Sequence, residues 1–263
     1  MNGDDREAFN WIIGPAARAI AFVAEESIVA GTLNRSIIFL EGSEPLLRAA
    51  RETLETHGAD EAVRGIDRLL SEAPTLSKNT AKLKENDFGI VNSHSFIGVW
   101  GALEVAIEDT VTLVLEKDKN ALGLVAQAGI KTNTFEQGPL SEEDAGRLYR
   151  RIESQLRRSL KAGEFYVKVL EIFGIDIACR SSVLSKLQEA NSVRNCLLHR
   201  GGVIDDRAAE SSCALRRLKG QKIHITQSRY LDYYSAVSSF LKEMLAAVIA
   251  SPYTRMANEE EEV

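Results

Sequence analysis

The sequence predicts an all-α protein. The reading is a helical bundle over residues 91–252, an N-terminal helical extension over 1–90, and a small β-hairpin before the last helix. Three observations predict it. Apolar residues recur at helical spacing along most of the chain. Only five prolines interrupt it. A β-branched alternating run is confined to Lys222-Ile223-His224-Ile225-Thr226, so it supplies a short strand at most, paired near Val203-Ile204.

Taken in order, residues 5–30 read as a helix with Phe9, Ile12, Ile13, Ala16, Ile20 and Val23 in register, kinked or restarted at Pro15. A second helix is expected from about Asn34 past Leu54, interrupted by Pro45, and a third over about 60–72. The polar stretch 73–92 reads as a junction. Residues 93–117 then carry a strong seam of Trp100, Leu103, Ile107, Val111 and Val114. Residues 119–140 hold a short helix and a loop with Gly129, Asn133, Gly138 and Pro139 as breakers. Ser141-Glu142-Glu143-Asp144 places a cap and first-turn acids at the start of a long helix reaching about Phe173. Further helices are expected over about 180–200 and 229–250, the last rich in tyrosine. Residues 253–263 form an acidic tail expected to be disordered.

Composition narrows the function. At 44% hydrophobic and 27% charged, the chain matches an ordinary soluble protein. No apolar run approaches the roughly 20 residues of a membrane span, and the N-terminus lacks the pattern of a secretory signal. Three cysteines (Cys179, Cys196, Cys213) without a Cys-x-x-Cys pair fit a reducing cytoplasm. His57, His94 and His224 lack ligand spacing, so neither a metal nor another cofactor is expected. The net charge is −6, yet residues 147–168 hold seven basic side chains against two acidic ones. Such a stretch is either a nucleic-acid footprint or a solvated helix face.

The chemistry concentrates at Arg194-Asn195-Cys196-Leu197-Leu198-His199, followed by Arg200-Gly201-Gly202. Five positions on a helix amount to about 140° of rotation, so Arg194 and His199 do not share a face. With Val183 as origin, Arg194 falls at roughly 20°, inside the apolar stripe of Leu184, Leu187, Ala190, Val193, Leu197 and Leu198. Gln188, Ser192, Asn195 and His199 gather between roughly 120° and 180°, a polar stripe almost free of charge, as suits a cleft or an interface. Gly201 and Gly202 stop the helix and leave room for a close approach. Glu104 lies only about 40° from Trp100 and so needs an inward partner; Arg194 is the complement.

Arg194, Asn195 and His199, at a helix end in an all-helical chain, resemble the Arg-x4–6-His motif of the HEPN superfamily. The continuation through Gly201, Gly202, Val203, Ile204 and Asp205, and the helix holding Glu104, are similar too, so that the likeness covers roughly 92–250. The resemblance implies an antiparallel helical bundle that dimerises through its motif helices. It implies an endoribonuclease that needs no metal and works by 2′-OH attack, with Arg194, Asn195 and His199 catalytic and Gln188, Ser192 and Arg200 holding RNA. Glu104 would be structural. It also suggests a toxin–antitoxin or phage-defence setting, with a possible antitoxin protein as partner. Gly201 stands where some members carry a tyrosine that is the target of a nucleotidyltransferase, so that form of control is not expected. The alternative implied is a non-catalytic HEPN module that dimerises and binds nucleic acid or protein.

Overall fold

A computed structural model describes residues 11–254, and among these the chain forms eleven helices and no strand. The expectations for residues 5–10 and 255–263 lie outside the described residues. Proline opens helices more often than it breaks them here. α1 (Gly14–Glu41) carries Pro15 at its second position, where no N–H is needed. It runs past the start expected at Asn34 and stops at Gly42. α2 (Ser43–Thr56) carries Pro45 in its first turn. α3 (Asp60–Glu85) continues through Pro74, so the junction expected over 73–92 is mostly helix. Its inward stripe persists, with Ala73 and Thr80 buried, and that outweighs the polar composition.

The break comes instead at Asp87 and Phe88, both left-handed with φ of 48° and 56°. Neither is glycine, so the sequence carried no turn signal there. The Phe88 amide donates to Leu83 O at 2.8 Å and its ring is buried, and together these hold the turn. α4 (Gly89–Lys117) follows, then α5 (Ala121–Gln127), α6 (Glu142–Leu156), α7 (Ala162–Glu171), α8 (Ser181–His199), α9 (Asp206–Ser211), α10 (Cys213–Arg216) and α11 (Gln227–Ala250).

The chain divides into two compact units. One comprises Glu26–Ser95 and His224–Leu231. In it α2 and α3 form an antiparallel hairpin, and no residue of α2 is buried. A cluster of side-chain amides lies beside that hairpin's root. Asn34 donates to Gln227 Oε1 at 2.9 Å and to Asn92 Oδ1 at 3.3 Å. Asn92 in turn donates to Ile225 O at 2.9 Å.

The other unit holds the described residues to Glu25, Phe96–Ile223 and those from Asp232. Its core is the expected α4 seam: Trp100, Leu103, Ile107, Val111 and Val114 are fully buried. Aromatic rings surround it, with Trp100 and Tyr166 centroids 6.0 Å apart and Phe96 and Tyr233 4.9 Å apart. The single helix expected from Ser141 to Phe173 is two, α6 and α7. Ser141 caps the first as expected, accepting from the Asp144 amide. The chain then turns over 157–161, and Glu164 accepts from the Lys161 amide to start α7. The turn lets Gly163 sit against α8: a Cβ there would lie 2.8 Å from Leu184 O.

The hairpin expected before the last helix is reduced to isolated bridges, Val203 with Lys222 and Ile204 with Lys219. The α9–α10 pair lies between these rungs in sequence, and no ladder extends from them among the described residues.

Candidate functional site

α8 positions the motif, and its buried side is rotated from the one the sequence suggests. Leu187, Glu189, Ala190, Val193 and Cys196 face inward. Leu198, expected in the apolar stripe, is 45% exposed, and Arg194 lies on the rim. Glu189 draws the helix round: it is buried, and Tyr233 of α11 donates to its Oε1 at 3.0 Å.

Arg194 and Glu104 meet. Arg194 Nη2 donates to Glu104 Oε2 at 2.9 Å, and Nη1 donates to Asn195 Oδ1 at 3.1 Å. Glu104 Oε1 accepts from Tyr166 Oη at 3.4 Å and lies 3.9 Å from Arg157. Arg157 also donates to Glu153 at 2.8 Å and stacks over Phe165 with its guanidinium 4.3 Å from the ring centroid. Glu104, Glu153, Arg157, Arg194 and Asn195, with Glu108, Tyr149 and Asn191, line a cavity of about 330 Å³. Burial, reinforced by Glu153, raises the Glu108 carboxyl above its ordinary range. Burial likewise raises the Tyr166 hydroxyl, with Glu104 adding to it, so that it stays a donor.

His199 lies elsewhere. It is exposed in the last turn of α8, and among the described residues no hydrogen bond or ion pair holds its ring. It lines a second cavity, of about 450 Å³, with Gln188, Asn191, Ser192, Asn195, Arg200 and Arg207. Asp205 completes the wall; its Oδ1 caps α9 through the Ala208 amide at 2.8 Å, and its Oδ2 is 3.7 Å from Arg200. Asn191 and Asn195 line both cavities. Within one chain, then, Arg194 and His199 are separated by a wall of two amides.

The remaining predicted groups are partly engaged. Gln188 Oε1 accepts from the Ala162 amide at 2.8 Å, tying α8 to the start of α7. The Ser192 hydroxyl donates back to Gln188 O at 3.1 Å. Gly201 and Gly202 have φ of 59° and 87°, and the Gly202 amide closes α8 on Cys196 O at 2.9 Å. The Ile223 amide then donates to Gly202 O at 2.9 Å, the close approach that a bare backbone permits. Among the described residues, no group of three or more His, Cys, Asp or Glu is placed to hold a metal.

The basic stretch 147–168 does not present one face. Arg147 pairs with Asp144. Arg151 binds Lys131 O at 2.9 Å and stacks on Phe135, pinning the 131–135 loop, while Arg157 lines the Glu104 cavity. Sequence reading missed Asn191, Arg157, Glu153 and Arg207. Asn191 was the legible one, one turn before Asn195 and only about 40° from it on the wheel. No helix among the described residues is long and apolar enough to cross a membrane. Compared with protein-family models, curated proteins and solved structures, the chain matches none.

Proposed function

We propose that the chain is a HEPN-like endoribonuclease that cuts RNA without a metal, at a site completed by a second copy of itself. One observation carries the reading: an unpaired imidazole stands at a cavity walled by neutral amides, a hydroxyl, two arginines and a single carboxylate, Asp205. That composition suits a phosphodiester, because it offers donors and positive charge. His199 takes the proton from a ribose 2′-OH, or gives one to the departing 5′-oxygen. The 2′-oxygen attacks phosphorus, the bond to the 5′-oxygen breaks, and a 2′,3′-cyclic phosphate and a 5′-hydroxyl result. Arg200 and Arg207 meet the charge on the phosphorane from the same chain. Arg194 adds to it from the other copy, since Glu104 and Asn195 occupy only two of its five donors.

Purified protein incubated with total RNA and EDTA, beside His199→Ala, tests this. The expected outcome is cleavage by the wild type that survives chelation and falls at least about 100-fold in the variant. Equal cleavage by both, or none by either, removes the proposal. A second reading has its own support: Arg194 is already neutralised by Glu104 at 2.9 Å, as in a module that binds without cutting. RNA binding without cleavage selects that reading.

A further inference from the structure

Three side chains of the Glu104 cavity stand outside its matched charges. Tyr149 is only 4% exposed, yet its hydroxyl has no hydrogen-bond partner among the described residues. A phenol buried that deeply ordinarily finds one. Burial, then the charges of Glu153 and Glu108, raise the pKa of that hydroxyl, so its oxygen lies at the cavity and stays a donor. Glu108 is half-buried, and among the described residues it makes no ion pair or hydrogen bond; Arg150 eases its charge only from a distance. The Asn191 carboxamide is likewise without a partner among them. The rest of the wall is engaged, Glu104 with Arg194 and Glu153 with Arg157. The lining comes as pairs one turn apart on three helices: Glu104 and Glu108 on α4, Tyr149 and Glu153 on α6, Asn191 and Asn195 on α8. Groups mounted on helices keep their spacing better than groups on loops.

We infer that this cavity takes a guanine base. Its unpartnered groups are one carboxylate that accepts twice, on Glu108, and two donors, on Tyr149 and Asn191. Guanine carries the complement along one perimeter. Its N1–H and 2-amino group donate side by side, and O6 and N7 accept beyond them. The two donors fit the Glu108 carboxylate, O6 accepts from the Tyr149 hydroxyl, and N7 accepts from the Asn191 amide. Adenine and cytosine set a bare ring nitrogen beside their amino group, and a carboxylate repels it. Uracil has one N–H between two carbonyls. Charge decides which part of a nucleotide enters. Three carboxylates against two guanidinium groups disfavour a phosphate here. The same two guanidinium groups oppose an ammonium ligand, which also brings no acceptor for Asn191. At about 330 Å³ the cavity lies at the small end of the range for ligand pockets, about 300–1,000 Å³, as suits a single base. Asn191 and Asn195 line both cavities, so only that wall separates a base here from a phosphate beside His199. A base belonging to the RNA that is cut rests on the proposed nuclease reading; the base pocket itself does not, and a free guanine nucleotide has the same chemistry.

Calorimetric titration of the full chain with guanosine, inosine and adenosine tests the pocket without any cleavage. Guanosine is expected to bind, inosine more weakly because it lacks the 2-amino group, and adenosine at least about tenfold more weakly. Glu108→Gln and Tyr149→Phe should each lower guanosine affinity about tenfold. Helix content should hold in both, since the first keeps the side chain's shape and the second removes one oxygen. Equal binding of the three nucleosides, no guanosine binding into the millimolar range, or variants that bind like the wild type overturn the proposal. Putrescine bound where guanosine is not overturns it in favour of an amine. RNA oligomers with a single guanine then separate the two sources. Cuts beside that guanine place the base in the RNA, whereas guanosine binding with cuts elsewhere, or with none, assigns the pocket to a free nucleotide. Binding with no cutting removes the nuclease reading and leaves the pocket standing; cutting under EDTA with no guanosine binding does the reverse.

Discussion

The two cavities on either side of Asn191 and Asn195 share a wall and little else. On the Arg194 side, charges are matched within the chain: Glu104 holds Arg194, Arg157 bridges Glu153 and Glu104, and aromatic rings cover the guanidinium. On the His199 side Asp205 offsets part of the positive charge, lying 3.7 Å from Arg200, and the imidazole is unheld. The difference separates architecture from chemistry. A side chain with its partner already in place is stabilised by staying put, whereas one that lacks a partner is available to a ligand. One helix thus serves both purposes by turning about 140° between its arginine and its histidine.

The largest effect that would break this contrast is on cleavage. His199→Ala should cost at least about 100-fold in rate while stability stays within about 0.5 kcal/mol. A large drop in melting temperature would place His199 among the structural groups instead. Next, Arg194→Ala should destabilise by about 1–2 kcal/mol, because it leaves half-buried Glu104 with only the longer contacts to Tyr166 and Arg157. Glu104→Gln in the same chain should return part of that loss, and a double-mutant cycle of urea melts measures it; additive effects would mean the pair contributes nothing. Gly163→Ala pushes a methyl into Leu184 O and should cost about 1–3 kcal/mol, loosening the α7–α8 contact on which Gln188 depends.

The smallest effect concerns Glu108. Its folded carboxyl titrates above the ordinary range, so the folded state binds that proton more tightly. The benefit is present below the unfolded pKa and is lost as pH rises through the folded one. At neutral pH the ionised group is therefore a burden, and Glu108→Gln should raise the melting temperature slightly at pH 7 and not below about pH 4. Melting curves at both values check the sign.

Helical character and the Trp100 seam were legible because periodicity reports burial directly. The Glu104–Arg194 contact was legible for the same reason: the wheels place each charge beside an apolar stripe, where a lone charge is costly, and on the rim the two meet. The rotation of α8 was not. It depends on Glu189 finding Tyr233, forty-four residues away, and a wheel drawn on one helix cannot show that. The break after Leu156 escaped because no proline or glycine marks it, and what favours it is room for Gly163 against Leu184. The Asp87–Phe88 turn escaped because it needs two successive left-handed residues, and the bulky Phe88 ordinarily avoids that region even though Asp enters it more readily. The polar composition of 73–92 misled in the opposite direction, suggesting a junction where α3 continues to Glu85.

Asn34, Asn92 and Gln227 join α1, α4 and the start of α11 through hydrogen bonds between their side-chain carboxamides. A carboxamide neither gains nor loses a proton between mild acid and mild alkali, so this knot stays tied across that interval. The Glu108 carboxyl of α4 does respond, and burial makes the fold hold its proton more tightly. A rise in pH through the Glu108 titration should therefore strain the charged cavity and leave the amide crossing as it was.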